Sequence, residues 1–131
     1  MSLERSMTRL FVDTYALIEL LKGNPNYEEY SQADLVATEF NIFELTYALI
    51  RDFGRNETSK IIDFVRSRVE VMSTEDSDYL NASDFRKSAN KTGKKLSLVD
   101  ALGYSYSRTL GIKFLTGDRE FCEMENVEYI K

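Results

Sequence analysis

Histidine is missing from the sequence altogether, and so is tryptophan. Without an imidazole there is no histidine-based acid/base catalysis, and the usual zinc sites lose their ligands. Cysteine occurs once, as Cys122, which excludes an intramolecular disulfide and leaves a thiol that reads as inert packing. Proline also occurs once, Pro25, within Gly23-Asn24-Pro25-Asn26, a strong turn signal. No apolar run approaches the roughly 20 residues of a membrane-spanning helix, so no membrane association is expected. No repeat or low-complexity tract breaks the chain. The opening stretch is charged and carries no signal-peptide core, which points to a reducing cytoplasm; residues 1–6 read as an added leader ahead of a natural start at Met7.

What the sequence does contain is an ordinary globular balance: 131 residues, 43% hydrophobic and 30% charged. That length fits one domain, taken as residues 1–131. Seventeen basic against 22 acidic residues give a net charge of −5, which argues against broad adhesion to nucleic acid through a basic face. A local strip remains, because Phe85 to Val99 holds Arg86, Lys87, Lys91, Lys94 and Lys95 and no acid. Such a run is ordinarily a solvated face, and a phosphate backbone is the alternative occupant.

Short apolar runs alternate with helical patterns along the chain. Strands are expected at Leu10–Val12, Leu35–Thr38, Val69–Met72, Lys113–Leu115 and Val127–Ile130. Between them, helical spacing runs over Tyr15–Leu21, a short piece Tyr27–Ala33, Ile42–Ile50, Glu57–Ser67 after a break at Gly54, Thr74–Asn90, and Ser97–Leu110 with Gly111 as C-cap. One or two turns are expected over Arg119–Met124. Tyr104 and Tyr106 fall on different faces of one helix, so only one is expected in the core and the other is available for a dimer contact. The pattern predicts an α/β fold, a three-layer α/β/α sandwich around a five-stranded parallel sheet.

Open parallel sheets bind ligands beyond the carboxyl ends of their strands. Four acids are expected at that edge: Asp13 after the first strand, Glu44 near the start of the helix after the second, Asp100 in the first turn of the helix antiparallel to the fourth, and Asp118 just past the fourth. Taken singly, each is explained by capping. Asn41-x-x-Glu44 and Ser97-x-x-Asp100 fit capping boxes, and Asp13 and Asp118 are favoured N-caps. Taken together, four carboxylates at one edge repel unless a cation holds them, although the positive helix ends offset part of that cost. Oxygen-only donors suit Mg²⁺ or Mn²⁺. Such an ion generates a nucleophile from water and stabilises a leaving oxygen, so metal-dependent phosphodiester hydrolysis is the expected chemistry.

At these residues the sequence resembles the PIN-domain ribonucleases and, within them, the VapC-type toxins of toxin–antitoxin pairs. The motifs are Leu10-Phe11-Val12-Asp13-Thr14, Phe43-Glu44-Leu45, Ser97-Leu98-Val99-Asp100-Ala101-Leu102 and Leu115-Thr116-Gly117-Asp118-Arg119-Glu120-Phe121. Their order and spacing cover nearly the whole chain. The resemblance implies an Mg²⁺- or Mn²⁺-dependent endoribonuclease with an RNA substrate, an antitoxin partner and a homodimer. It implies Asp13, Glu44, Asp100 and Asp118 as the metal-holding quartet, Thr14 and Thr116 as hydroxyls orienting it, and Glu120 as an outer acid. Arg119, Lys94 and Lys95 are the candidate phosphate contacts, and Phe121 reads as a core anchor.

Two neighbouring readings fail on single positions. A haloacid-dehalogenase phosphatase needs a second Asp two residues after the first, where this chain has Tyr15. A response-regulator receiver ends its third strand on a phosphoacceptor, where this chain has Met72-Ser73-Thr74. The remaining alternative is a PIN domain without cleavage activity that serves as an RNA- or protein-binding scaffold.

Overall fold

The computed structural model describes residues 9–131, so the reading of residues 1–6 as an added leader lies outside the described residues. Strand β1 (Arg9–Val12) leads into helix α1 (Thr14–Lys22), and a 3-10 segment (Pro25–Tyr30) leads to β2 (Asp34–Thr38). A long helical stretch, α2 (Glu39–Arg68), ends in β3 (Val69–Met72); α3 (Asp76–Lys91) and α4 (Leu98–Leu110) follow. Strand β4 (Lys113–Thr116), a 3-10 turn (Arg119–Phe121) and β5 (Val127–Tyr129) complete the order. The five strands are all parallel and run β3-β2-β1-β4-β5, so the first strand of the sequence lies at the centre of the sheet.

Alternation along the strands sends apolar side chains to both faces, as a doubly covered parallel sheet requires. Leu10, Val12, Leu35, Ala37 and Leu115 pack with α1 and α2, while Phe11, Val36 and Phe114 face the opposite layer with Tyr104, Tyr106 and Phe121. The second layer is aromatic: Phe11 stacks on Phe114 at 5.7 Å, and Phe114 meets Phe121 at 4.8 Å. The expected three-layer sandwich is present.

α2 is not one rod. Gly54 sits at φ 77°, ψ 176°, a conformation that glycine alone adopts without steric cost. Arg66 donates both guanidinium arms to Glu39, at 2.8 and 2.9 Å. A straight helix would hold residues 27 apart about 40 Å away from each other. The stretch therefore doubles back at Gly54 into two arms; the sequence pattern predicted the break, and the reversal comes from the structure.

Several expectations need correction. The helix after β2 starts at Glu39, ahead of the expected Ile42, because Thr38 is its N-cap and Asn41 stands at the third helical position. The piece expected over Tyr27–Ala33 is 3-10, at Pro25–Tyr30, and the turn after Asp118 is three residues long. Tyr104 and Tyr106 are both buried, at 2% and 8% exposure. Helix α4 lies between the sheet and α3, so opposite faces of it are both interior; Tyr104 donates to the Glu125 carbonyl and Tyr106 to that of Ser73. Neither is left over for a dimer contact. Cys122 is exposed rather than packed, because Phe121 takes the inward position at the end of the turn. Among the described residues, no helix is long and apolar enough to cross a membrane.

Candidate active site

Asp13 follows β1 and caps α1, its Oδ1 accepting from the Ala16 amide at 2.8 Å. Its other oxygen, Oδ2, accepts from the Thr116 hydroxyl at 2.5 Å, and this pairing follows from the register, which sets Val12 beside Leu115. Thr116 Oγ1 in turn accepts from the Asp118 amide at 2.9 Å. Asp118 Oδ1 caps the following 3-10 turn through the Glu120 amide at 3.0 Å. One chain of hydrogen bonds thus joins the ends of β1 and β4. The turn can be this tight because residue 117 has no side chain: a Cβ there would stand 2.2 Å from the Tyr15 ring and 2.5 Å from the Ile130 carbonyl oxygen.

Asp100 opens α4, where the expected capping box forms: Ser97 Oγ accepts the Asp100 amide at 3.0 Å, and Asp100 Oδ2 accepts the Ser97 amide at 3.1 Å. The expected box at Asn41 and Glu44 does not form. Asn41 Oδ1 instead accepts the Thr38 amide (3.0 Å) and the Thr38 hydroxyl (2.9 Å), placing Glu44 in the second helical turn. Released from capping, Glu44 Oε1 accepts the Thr14 hydroxyl at 2.6 Å. Both threonine hydroxyls therefore donate to an acid, Thr14 to Glu44 and Thr116 to Asp13.

Asp13 is only 5% exposed. Burial raises its carboxyl to about 7, against the bonds from Thr116 and Ala16, and the charges of Asp100 and Asp118 push it further up. Burial also raises Asp100, opposed by Ser97 and reinforced by Asp118 and Glu120. Asp13 thus feels both Asp100 and Asp118, and Asp100 feels Asp118, which places the three in one electrostatic neighbourhood. Glu44 reaches it through Thr14, the residue beside Asp13.

The donor set fits a hard divalent cation in kind, being carboxylate oxygen throughout. Among the described residues, Glu44 Oε2, Asp100 Oδ1 and Asp118 Oδ2 carry no hydrogen bond, so each acid is held by one oxygen with the other open. In position the set is looser: among the described residues, no group of three or more Asp, Glu, His or Cys side chains is gathered closely enough to hold a metal as it stands.

The family model described as PIN domain matches residues 10–127. The chain belongs to the PIN-domain family. This PIN domain shares its fold with VapBC2 from Rickettsia felis, solved bound to a DNA fragment from their promoter, at 14% identity, covering 95% of this chain and 100% of that one, with a TM-score of 0.75. It is equally similar in fold to VapC20 of Mycobacterium tuberculosis, a sarcin-ricin loop cleaving toxin, at 18% identity, 93% and 99% coverage and a TM-score of 0.76. VapBC-1 from nontypeable Haemophilus influenzae follows at 19%, 93% and 96%, with 0.74. Among curated protein sequences, none matches significantly.

The basic strip folds against this site in a way the sequence did not announce. Lys94 Nζ donates to the Glu120 carbonyl at 2.7 Å, and Glu120 Oε1 accepts the Lys95 amide at 2.8 Å. Glu120 thus clasps the segment before α4 to the Asp118 turn. Lys95 and Arg119 stay exposed. Also unforeseen is an outward apolar face on the first arm of α2: Ile42, Leu45 and Leu49 point inward, yet Phe43 and Tyr47 are 76% and 70% exposed. Its signal in the sequence was an excess of apolar residues, more than the one stripe that a packed helix needs.

Proposed function

We propose that this PIN domain is a divalent-metal-dependent endoribonuclease and acts as the toxin of a VapBC-type toxin–antitoxin pair in a reducing cytoplasm. The observation that carries the reading is Asp13, a carboxyl at the carboxyl edge of the sheet that is raised chiefly by its burial and further by the charges of Asp100 and Asp118. Burying acids beside one another is costly unless a cation joins them. Asp13, Glu44, Asp100 and Asp118 would hold Mg²⁺ or Mn²⁺, with Thr14 and Thr116 fixing two of them and Glu120 serving behind. When bound, such an ion supplies an activated water and neutralises charge developing on a phosphodiester. Arg119 and Lys95 lie beside Asp118 and Glu120, where they can take flanking phosphates.

The similarity in fold to a sarcin-ricin loop cleaving toxin and to VapBC complexes supports the RNA substrate and the antitoxin partner. The exposed Phe43–Tyr47 face supports a protein cover, antitoxin or second copy. One observation favours the scaffold reading, namely that the acids are not gathered into a coordinating group.

Cleavage of a structured RNA with Mn²⁺ or Mg²⁺ against EDTA, run beside Asp13→Asn, separates the two readings. Metal-dependent cutting that is lost in the variant is the expected result. No cutting together with no Mn²⁺ uptake by titration calorimetry would leave the scaffold.

A further inference from the structure

Asn41 is among the most completely buried polar side chains of the described residues, at 2% exposure, and helix capping accounts for two of its three side-chain hydrogen bonds. Its carboxamide orientation is fixed by chemistry. The Thr38 backbone N–H can only donate, so the group facing it at 3.0 Å is the Asn41 carbonyl oxygen. The NH₂ group must then face Thr14, whose Oγ1 it meets at 3.4 Å. An amide NH₂ has no lone pair to offer, so Thr14 accepts from Asn41 and must direct its own proton elsewhere. The partner waiting at 2.6 Å is Glu44 Oε1.

We propose that Asn41 is a positioning residue for Glu44: its buried carboxamide sets the direction of the Thr14 hydroxyl and so holds the Glu44 carboxylate by a donated proton. The chain is one-way, from the Thr38 amide through Asn41 and Thr14 to Glu44, and each link strengthens the next. The substitution that reveals this is Asn41→Asp. It preserves the shape and both cap bonds to Thr38, and an acid at the third helical position is favoured by the helix terminus, so folding is expected to survive. It reverses the chemistry, however. A carboxylate facing Thr14 accepts the hydroxyl proton, and Glu44 loses its donor.

The proposal rests on Glu44 belonging to the acidic site, and its test is built so that the two can fail separately. The first readout is the metal-free crystal structure of Asn41→Asp. The Thr14–Glu44 oxygen separation is expected to open beyond about 3.5 Å as the hydroxyl turns to residue 41; retention of the 2.6 Å contact overturns the proposal. The second is Mn²⁺ binding by titration calorimetry. Adding an acid to an acidic edge should by charge alone tighten cation binding, whereas loss of positioning should weaken it roughly 10- to 100-fold, the usual range for groups that orient ligands. Tighter binding by Asn41→Asp overturns the proposal. Thr14→Val should weaken binding similarly with the Asn41 cap intact, and Thr14→Ser should restore it to within about twofold, since only the hydroxyl is required. A wild-type protein that takes up no Mn²⁺ would count against the metal site, and the crystal structure would still decide the role of Asn41.

Discussion

Asp13 does two jobs with its two oxygens, capping α1 with one and receiving Thr116 with the other. A cap and a candidate site acid are therefore the same residue, as they are at Asp100 and Asp118; Glu44, which the sequence placed at the same edge through a box with Asn41, caps nothing among the described residues. Asp13→Asn and Asp100→Asn keep an acceptor for the capping amides and remove charge, so each should leave the fold intact while lowering cleavage by at least about 100-fold. Full activity in either variant, measured on purified protein, would sink the site assignment. Asp13 also predicts a pH dependence. Its carboxyl is raised from 3.8 to about 7, so the folded state binds that proton more tightly than the unfolded state. The associated stability is present below about pH 4 and is lost as pH rises through 7, by on the order of 4 kcal/mol. Denaturant melts in EDTA should show wild type losing ground to Asp13→Asn across this window, and a constant difference would refute the shift. Asn41 was less legible. Thr38-x-x-Asn41 and Asn41-x-x-Glu44 fit the same capping pattern, and only the contact with Thr14, distant in sequence, decides between them.

Helix α4 shows what element-level periodicity reveals and what it misses. Its bounds and both caps, Ser97 and Gly111, follow from local chemistry and match the structure. That both Tyr104 and Tyr106 are interior could not be read, because periodicity reports an apolar stripe and not how many layers press on a helix. The close fit is measurable at Gly103, where a Cβ would stand 2.8 Å from Phe11 and 3.2 Å from Phe114. Gly103→Ala should therefore destabilise by about 1–3 kcal/mol, the ordinary cost of overpacking, read as a lower urea midpoint with the slope unchanged. Gly117→Ala acts on function instead: the crowded Cβ must displace Tyr15 or the turn, moving Asp118, so cleavage should fall more than stability does. A variant with wild-type turnover would show that the turn absorbs the methyl group. The strands were legible because each is a short run rich in apolar residues; the break in α2 was legible through Gly54, but not the reversal of its second arm.

At the scale of the whole molecule, a net charge of −5 means that any hold on RNA must come from a few placed cations. The structure divides the basic strip into parts with different work. Lys94 is bound to the Glu120 carbonyl, while Lys95 and Arg119 face solvent beside the site. Lys95→Ala and Arg119→Ala should each weaken RNA binding and reduce the slope of log affinity against log salt by about 0.7, the value for one phosphate contact on a single strand. Lys94→Ala should chiefly loosen the Asp118 turn. An unaltered salt slope in all three would return the strip to the role of a solvated face. The strand order β3-β2-β1-β4-β5 carries a consequence for how such a protein is born. The central strand β1 is made well before one of its two neighbours, β4, and Asp13 meets Thr116 across 103 residues of chain. A nascent chain therefore lacks the Asp13–Thr116 contact until β4 has been made, and a product truncated before β4 cannot assemble this acidic edge.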